Sequence, residues 1–308
     1  MRVVVLKGGK SREREVSLRS GAAVAKALRA KGHEVTEIDP QGENLVARLS
    51  SPRPEAVFIA LHGHYGEDGC LQGLLEWLEI PYTGSSPFSS ALCFDKLASK
   101  KWVASDGILT PRCIPLKRSD PLQEWLKKFS LPLPVIVKPN REGSSYGVFR
   151  IFKKEELSKK MTEALAFDST VLVEEYIEGR EVTVGVLNGR PLPVVEVVPK
   201  GGFYDYESKY TVGKTDYFVP AKLPESVTAA LKELGEKICR SLQCEGGVRV
   251  DFMLDKSLKP YFLEVNTIPG MTETSLLPKA AACEGSGFED LCETILSSAG
   301  LKTNGGRS

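Results

Sequence analysis

The sequence predicts a mixed α/β and α+β fold of three domains, the first a parallel, Rossmann-like α/β domain. Between residues 1 and 90, short apolar runs that end in loops alternate with amphipathic segments, which is the pattern of parallel strands joined by helices. Farther along, pairs of apolar runs meet at turn residues, as in antiparallel hairpins. The 308 residues are enough for two or three hydrophobic cores. We expect domains at residues 1–90, 91–181 and 182–308.

The first domain begins with a strand, a loop and a helix. The strand RVVVLKGG precedes a charged loop, and the helix is predicted over residues 18–31, with Ser17 as its N-cap and Gly32 at its end. Further strands follow at HEVTEIDP and EAVFIALHG, and a short amphipathic helix at residues 71–78. The binding loops of such a sheet lie at the carboxyl ends of its strands.

Three features of this domain suggest functional motifs to different degrees. The tripeptide GKS at residues 9–11 looks like the end of a phosphate-binding P-loop, but Val4 stands where the motif needs its first glycine. His62 and His64 lack an obvious third ligand, so a substrate-binding loop is a better interpretation than a metal site. Glu13 belongs to a charge run, which is either the solvated start of a helix or part of a site. The pattern alone leaves both open.

The second domain combines a buried strand that carries a lysine with a flexible loop. A helix is predicted over residues 96–107, and the strand LPVIVKPN places Lys138 near its end. The loop REGSSYGV follows, and then the strand VLVEEYIEG, which ends in Glu174 and Glu175. A lysine before a loop rich in glycine and serine is a phosphate-binding arrangement, because the lysine supplies a charge and the loop supplies N–H groups and hydroxyls.

The third domain opens with the hairpin VTVGVLNGRPLPVVEVVP, whose turn is Asn188-Gly189. Residues 201–221 show neither a helical nor a strand period and are typical of a functional Ω-loop. Its side chains either cap a cleft or pack on one another, and they include Tyr204, Tyr206, Lys209 and Tyr210. Helices are predicted at residues 226–242 and 288–298.

The strands VRVDFML and PYFLEVN form the most informative hairpin, in which we expect Leu254 to lie opposite Tyr261. This register groups four polar side chains on one face, namely Arg249, Asp251, Glu264 and Asn266. The apolar face then carries Val250, Phe252, Leu263 and Val265. Carboxylate and amide oxygens are ligands that Mg²⁺ prefers, and an arginine beside them can hold an anion. The face is either a metal–nucleotide platform, which we favour, or the solvated side of an edge hairpin.

Composition and charge exclude several classes of protein. A net charge of +1, with basic and acidic residues intermixed, argues against a nucleic-acid-binding surface. The apolar run near the N-terminus is too short for a signal peptide or a membrane span. Seven cysteines without a CxxC pair indicate reduced thiols. We therefore expect a cytoplasmic protein with no membrane or nucleic-acid partner, and a frayed tail at residues 303–308.

Together the motifs resemble those of the D-alanine–D-alanine ligases, a family of the ATP-grasp superfamily. The matching segments run in the family's order along almost the whole chain: GGKSREREVSL, LHGHYGEDGCLQGLLE, PYTGS, DKLASK, VIVKPNREGSSYGV, VEEYIEG, FYDYESKY, GVRVDFML and FLEVNTIPGMTETSLLP. The resemblance implies a three-domain ATP-grasp fold. It also implies that ATP and two D-alanine molecules give D-alanyl-D-alanine, ADP and phosphate through a D-alanyl phosphate intermediate, for peptidoglycan synthesis. ATP, two Mg²⁺ or Mn²⁺ ions and a homodimer are implied as well.

The resemblance further implies which residues bind ATP and its metal ions. The metal ligands would be Asp251, Glu264 and Asn266. The residues implied to bind ATP are Lys96, Lys138, Ser145, Glu174, Glu175, Ile177, Glu181 and Lys209. Among these, Lys96 and Lys138 would contact phosphates, and Glu174 and Glu181 would hold the adenine amino group and the ribose hydroxyls.

Substrate contacts are implied in the same way. The residues concerned are Glu13, His62, Ser144, Tyr210, Arg249, Gly270, Ser275 and Leu276. Glu13 would bind the ammonium group of the first D-alanine, near His62, and Ser144 would link Glu13 to Tyr210. Arg249 and the backbone at Gly270 would stabilise the oxyanion of the tetrahedral intermediate. Ser275 and Leu276 would receive the carboxylate of the second D-alanine.

Two positions bear on specificity and on departures from the family pattern. In the family, a tyrosine at the position of Tyr210 accompanies an amine acceptor and a phenylalanine accompanies D-lactate, so we expect D-alanine as the acceptor. Tyr146 stands where valine is common, and its ring either alters closure of the loop or stacks over it; Asn140 replaces a frequent serine.

Three alternatives to this function remain at the level of sequence. They are a sister ligase that uses D-serine or D-lactate, another ATP-grasp carboxylate–amine ligase, and a non-catalytic nucleotide-binding relative. A degenerate relative would be expected to lose a metal ligand or the loop serine, whereas Asp251, Glu264, Asn266 and Ser144 are all present. The complete set favours an enzyme.

Overall fold

The computed structural model of the protein describes residues 1–42, 44–201, 211, 213–272 and 274–303. The strands within them are β1 (Arg2–Leu6), β2 (Glu34–Ile38), β3 (Ala56–Ile59), β4 (Cys113–Lys117), β5 (Val135–Pro139), β6 (Phe149–Ile151), β7 (Thr170–Glu175), β8 (Gly179–Leu187), β9 (Arg190–Pro199), β10 (Thr215–Phe218), β11 (Gly247–Asp255) and β12 (Pro260–Asn266). The helices are α1 (Arg14–Ala30), α2 (Leu45–Ser50), α3 (Cys70–Trp77), α4 (Pro87–Phe94), α5 (Lys96–Ser105), α6 (Leu122–Lys128), α7 (Lys154–Leu165), α8 (Glu225–Ser241), α9 (Leu276–Cys283) and α10 (Phe288–Ser297).

The first sheet is parallel, as the sequence predicts, and its strand order is β2-β1-β3. Strands β1 and β3 are buried along nearly their whole length, which accounts for their continuous apolar runs. Residues of these strands share an apolar cluster with α1, α9 and α10. The N-terminal sheet and the C-terminal part of the chain are therefore packed against each other.

The start of α1 differs from the prediction. The helix begins at Arg14, four residues before the expected position, and Ser17 lies inside it rather than at its N-cap. The Ser17 hydroxyl accepts a hydrogen bond from the N–H of Gly8 (2.8 Å) and donates one to the carbonyl of Ala60 (2.6 Å). Its partners come from the loops after β1 and β3, so Ser17 joins the helix to the sheet.

The central sheet is antiparallel, with the strand order β4-β7-β5-β6. Apolar side chains of β5 and β7 are buried beneath α7, whose Leu157 and Met161 are fully covered. The sequence predicted β5 and β7 but not α6 or α7. The amphipathic pattern of α7 is interrupted by five charged residues in its first seven positions.

The C-terminal sheet is also antiparallel, with the strand order β10-β9-β8-β11-β12. The turn between β8 and β9 is confirmed, with Asn188 and Gly189 both at positive φ, 49° and 80°. The Ω-loop prediction is wrong for residues 215–218, because these residues pair with β9 as an edge strand. The helix predicted over residues 226–242 is α8, one residue earlier at each end.

The predicted register of the β11–β12 hairpin is confirmed for the polar residues and is wrong for the pairs nearer the turn. Asp251 lies opposite Glu264 and Arg249 opposite Asn266. A bulge after Asp251 shifts the pairing by one residue, so that Leu254 faces Pro260 instead of Tyr261.

The bulge also changes which side chains enter the core. Phe262, not Leu263, packs against Phe252, with ring centroids 6.4 Å apart. Leu263 lines the cleft on the other side of the sheet. The prediction that Leu263 belongs to the apolar face is therefore wrong.

No helix in the described part of the chain is long and apolar enough to cross a membrane. The domain boundaries at residues 90 and 181 stay predictions.

Candidate active site

A cleft with a volume of about 400 Å³ separates the central sheet from the C-terminal sheet. Strands of both sheets and the loop after β5 contribute to its walls. The predicted site residues among its lining are Lys96, Lys138, Ser145, Glu174, Glu175, Ile177, Glu181, Arg249, Asp251, Glu264 and Leu276. The structure thus brings most of the predicted nucleotide-binding residues and two predicted metal ligands to one cavity.

The floor of the cleft carries the polar face of the β11–β12 hairpin. Arg249 forms a bidentate pair with Asp251, with Nε–Oδ1 and Nη2–Oδ2 distances of 2.9 Å each. Thr183 donates to Asp251 Oδ1 (2.6 Å) and Asn266 donates to Oδ2 (3.1 Å). Thr183 was not predicted, although it lies directly opposite Asp251 on β8.

Lys96 holds the second carboxylate of this floor. It is the first residue of α5, which is capped by Asp95 through a hydrogen bond from the N–H of Ala98 (2.9 Å). Its Nζ lies 3.1 Å from Glu264 Oε2 and donates to the carbonyl of Glu142 (2.7 Å). Lys96 therefore connects the floor to the loop after β5.

The donor set of this floor fits a hard divalent cation. Asp251, Glu264 and Asn266 are two carboxylates and an amide, the oxygen donors that Mg²⁺ and Mn²⁺ take. Two cationic groups, those of Arg249 and Lys96, already lie against the carboxylates. No cluster of three or more His, Cys, Asp and Glu side chains placed to hold a metal occurs among the described residues.

On the opposite wall, Glu174 is buried between two lysines. Its Oε2 lies 2.9 Å from Lys138 Nζ and its Oε1 lies 3.1 Å from Lys100 Nζ. Burial alone would raise the pKa of Glu174, but the two lysines outweigh it and lower the pKa. Burial lowers the pKa of Lys100 to about 8. Lys100 was not predicted, although its spacing of four residues from Lys96 puts both on one face of α5.

The loop after β5 contacts the first domain. Ser144 donates a hydrogen bond to the Glu13 carboxylate, and a side chain on Gly143 would collide with that carboxylate. Ser144 and Ser145 have φ values of 51° and 58°, in the left-handed region that residues with a side chain seldom adopt. The loop therefore closes over the cleft in a specific conformation that Glu13 supports.

Aromatic contacts hold the same loop on its outer side. The ring of Tyr146 stacks on Phe167, with centroids 6.5 Å apart and an interplanar angle of 23°. The guanidinium of Arg12 lies 4.9 Å from the centroid of the Phe167 ring. The structure places the Tyr146 ring on Phe167, beyond α7, and the effect of this ring on closure of the loop stays a prediction.

His62 is buried between the N-terminal sheet and the segment that follows β12. Its Nδ1 lies 3.0 Å from the carbonyl oxygen of Ile268, and Glu67 Oε1 lies 3.8 Å from the same nitrogen. Burial alone would lower the pKa of His62, but the carboxylates of Glu67 and Glu13 and the carbonyl of Ile268 together outweigh it and raise the pKa. His64 instead pairs with Asp68 (3.6 Å). The two histidines therefore have separate acidic partners.

The turn before α9 brings two of the predicted substrate-binding residues, Gly270 and Ser275, close together. The Ser275 hydroxyl accepts a hydrogen bond from the N–H of Thr272 (3.0 Å) and approaches Gly270 closely. Leu276 is the first residue of α9. Glu175 lies at the rim, where its carboxylate pairs with Arg112 at 2.6 Å. The predictions for Tyr204, Tyr206, Lys209 and Tyr210 fall outside the described residues.

Two family models match this sequence. The model described as D-ala D-ala ligase N-terminus matches residues 39–85, and the model described as D-ala D-ala ligase C-terminus matches residues 103–297.

Individual relatives match over almost the full length. The D-alanine--D-alanine ligase of Syntrophotalea carbinolica is 50% identical over 301 residues, which cover 98% of this chain and 97% of the relative. That of Aquifex aeolicus is 50% identical over 297 residues, which cover 96% of this chain and 100% of the relative.

Solved structures show the same fold. A D-alanine--D-alanine ligase from Bacillus anthracis complexed with ATP has a TM-score of 0.82 at 36% identity and covers 97% of this chain and 96% of its own. A D-Ala:D-Ser ligase from Enterococcus faecalis has a TM-score of 0.82 at 30% identity and covers 96% of this chain and 98% of its own. The fold class predicted from the sequence is confirmed, and the chain belongs to the D-alanine–D-alanine ligase family.

Proposed function

We propose that this protein is an ATP-dependent ligase that joins two D-alanine molecules for peptidoglycan synthesis. The carboxylate of the first D-alanine takes the γ-phosphoryl group of ATP, which gives D-alanyl phosphate and ADP. The amine of the second D-alanine then attacks the acyl carbon and expels phosphate. The observation that carries the proposal is the cleft in which Lys96, Lys138 and the acidic floor meet beneath a loop bonded to Glu13.

The nucleotide is proposed to lie between the central and C-terminal sheets. Lys96 and Lys138 would contact its phosphates, and the N–H groups and hydroxyl at Ser145 would cover them. Glu174 would accept a hydrogen bond from the adenine amino group, and Glu181 would hold the ribose. The burial of Glu174 in the cleft wall supports this assignment, because a buried carboxylate oxygen requires donors.

Asp251, Glu264 and Asn266 would hold two Mg²⁺ or Mn²⁺ ions, which when bound supply positive charge that neutralises the phosphate oxygens. The chain's own cations act beside this site. Arg249 is oriented by its bidentate pair with Asp251 and would stabilise the oxyanion formed when the amine attacks. Its orientation before substrate binds supports that role, since preorganised donors need no rearrangement during reaction.

The two amino acids are proposed to bind between the floor and the first domain. Glu13, which accepts from Ser144, would hold the ammonium group of the first D-alanine, near His62. The N-terminus of α9, at Ser275 and Leu276, would receive the carboxylate of the second. Closure of the loop would exclude water, which otherwise hydrolyses the acyl phosphate.

We also propose a cytoplasmic homodimer. The sulfurs of Cys93 and Cys244 lie 3.5 Å apart as free thiols, which suits a reducing compartment. Trp77 is 86% exposed, and Phe88 and Trp102, which pack edge-on against each other, are 50% and 40% exposed, so apolar surface is available for a second copy. Sedimentation analysis at several protein concentrations tests the dimer, and a monomer throughout would contradict it.

Phosphate release from MgATP tests the reaction. D-alanine, L-alanine, D-serine and D-lactate are offered singly and in pairs, and the product is identified by mass. We expect release with D-alanine alone, with the dipeptide as product. Release in a mixed pair alone would assign the protein to a sister ligase, which the likeness to a D-Ala:D-Ser ligase makes the nearest alternative. ATP binding without release in any mixture would contradict ligase activity.

A further inference from the structure

The cluster of Lys100, Glu174 and Lys138 is the most deeply buried group of charges beside the cleft. The three residues are 3%, 2% and 8% exposed, respectively. Each oxygen of the carboxylate faces one ammonium group, at 3.1 Å for Lys100 and 2.9 Å for Lys138. Three elements meet here, since Lys100 comes from α5, Lys138 from β5 and Glu174 from β7.

The two lysines occupy different positions relative to the cleft. Lys138 and Glu174 lie on adjacent strands with their side chains on the same face, and both line the cleft. Lys100 approaches Glu174 from α5, where its Nζ is also 3.3 Å from the carbonyl oxygen of Phe262. Lys138 can therefore meet a ligand in the cleft, whereas Lys100 is held between Glu174 and the backbone of β12.

Glu174 retains capacity to accept a further hydrogen bond. Within the described chain, no donor makes a hydrogen bond of good geometry to the buried atom Oε1, and Lys100 Nζ meets it as an ion pair. A buried carboxylate oxygen in this condition favours an additional N–H donor. Because Glu174 lines the cleft beside Lys138, a bound ligand can supply such a donor to Oε2 when Lys138 turns away from it.

We propose that Lys100 is a positioning residue for recognition of the nucleotide base: it keeps the Glu174 carboxylate fixed and balanced in charge when Lys138 turns to the phosphates. A buried carboxylate that loses its partner is strongly destabilised. With Lys138 as its single counter-ion, Glu174 would compete with the triphosphate for that lysine. Lys100 removes the competition, so the base and the phosphates can be bound together. This inference rests on the proposed function.

The test compares ATP with ITP, in which a carbonyl replaces the 6-amino group of the base. KM and kcat for both nucleotides are measured with saturating D-alanine in the wild type, Lys100→Met, Lys100→Arg and Lys138→Met. In Lys100→Met we expect the preference for ATP over ITP to fall about tenfold, which is the cost of one hydrogen bond to a charged acceptor. The fall should come from a higher KM for ATP. Lys100→Arg should restore most of the preference.

Lys138→Met is the matched control, because it removes the other lysine from the same carboxylate. This variant should raise KM for ATP and KM for ITP by the same factor, since both nucleotides carry the phosphates that Lys138 would contact. If Lys100→Met instead leaves the preference for ATP over ITP unchanged, whether or not KM rises for both nucleotides, Lys100 does not act through the base and the proposal is wrong. Failure of the wild type to form the dipeptide would contradict the proposed function instead.

A second pair of variants covers the case in which Lys100→Met does not fold. The double variant Lys100→Met/Glu174→Gln buries no unpaired carboxylate, and it is compared with Glu174→Gln alone. Equal ATP-to-ITP ratios would support the proposal, because both changes then act through the same carboxylate. A further fall of the ratio in the double variant would overturn it.

Discussion

Glu264 is the side chain that connects the floor of the cleft to α5. It lies opposite Asp251 in the hairpin, and its Oε2 is 3.1 Å from Lys96 Nζ. Lys96 in turn bonds the loop after β5 through the carbonyl of Glu142. A single carboxylate thus serves the proposed metal site and the lysine that orders the loop.

Replacing Glu264 by glutamine should nearly abolish ligation. The amide keeps the shape of the side chain but loses the negative charge that a divalent cation and Lys96 both require. Loss of a residue that merely supports a metal ligand lowers activity about 10- to 100-fold, so we expect at least ~100-fold in kcat here. Dipeptide formation is measured across a range of Mg²⁺ concentrations.

The matched control for this prediction is Glu284→Gln. Glu284 forms an ion pair with Arg190 at the surface, so the control removes a paired carboxylate away from the cleft. It should keep normal kcat. Near-normal turnover of Glu264→Gln in saturating Mg²⁺ would contradict the platform assignment.

Residue types were predictable where strand alternation determines which side chains share a face. Asp251, Glu264, Arg249 and Asn266 were grouped correctly because a period of two is visible in the sequence. Lys100 was not predicted, because its partner Glu174 lies 74 positions away in the sequence. Glu174 also belongs to the central sheet and not to the sheet of the β11–β12 hairpin. Contacts between elements depend on packing that no local period encodes.

At the scale of elements, the loop between β5 and β6 is held at two ends. Its inner end bonds Glu13 through Ser144. Its outer end stacks Tyr146 on Phe167, just beyond α7. Stacking of two aromatic rings contributes about 0.5–1.5 kcal/mol beyond burial, so the outer contact changes the closed population of the loop appreciably.

Tyr146→Val should loosen closure of this loop without altering any group on the floor of the cleft. Losing about 1 kcal/mol of stacking lowers the ratio of closed to open loop roughly fivefold, so the site is open to water more often and water competes with the acceptor amine for the acyl phosphate. We expect several-fold more phosphate per dipeptide than in the wild type. The ratio of phosphate to dipeptide at saturating D-alanine measures this uncoupling.

A matched control is available in α6. Phe129 follows that helix and stacks on Trp125 with centroids 5.5 Å apart, so Phe129→Val removes a comparable aromatic contact from the surface of the same domain. Its ratio of phosphate to dipeptide should stay at the wild-type value. If Tyr146→Val keeps the wild-type ratio of phosphate to dipeptide, the stacking of Tyr146 on Phe167 does not help to close the loop.

Elements with a continuous period were predictable, and those interrupted by local irregularity were not. Strands β1, β3, β5 and β7 follow from their apolar runs. The bulge in β12 has no signal in the sequence, because Phe262 and Leu263 are both apolar and either could face the core. Packing of Phe262 against Phe252 decides between them.

At the scale of the whole molecule, the cleft depends on the first domain as well as on the sheets that form its walls. Glu13 reaches the loop over the cleft from a position next to Arg14, the first residue of α1. Arg14 makes a bidentate pair with Asp39, with Nη1–Oδ1 and Nη2–Oδ2 distances of 3.0 Å and 2.6 Å. The Asp39 carboxylate also accepts from the N–H of Gly9 (3.0 Å). The order of the Glu13 loop is thus tied to Asp39.

Asp39 should make the molecule sensitive to acid. Burial alone would raise the pKa of Asp39, but hydrogen bonds from Arg14, Gln41 and Gly9 lower it from 3.8 to about 2. A carboxyl with a depressed pKa stabilises the folded state above its unfolded pKa, and the contribution is lost as pH falls from about 4 to about 2. The side chains of Arg14 and Asp39 are 33% and 25% exposed, so solvent screening leaves roughly 1 kcal/mol.

Asp39→Asn should therefore lower the free energy of unfolding by roughly 1 kcal/mol at neutral pH and make its decline between about pH 4 and pH 2 shallower. Urea unfolding at a series of pH values measures both quantities. Asp216→Asn is the control, since Asp216 pairs with Lys200 at 3.4 Å where both side chains are more than half exposed, and it should keep the wild-type slope. Because Glu13 is adjacent to Arg14, ligation by Asp39→Asn should also show a raised KM for D-alanine at neutral pH. An unchanged slope together with an unchanged KM would mean that this pair neither stabilises the fold nor orders the Glu13 loop.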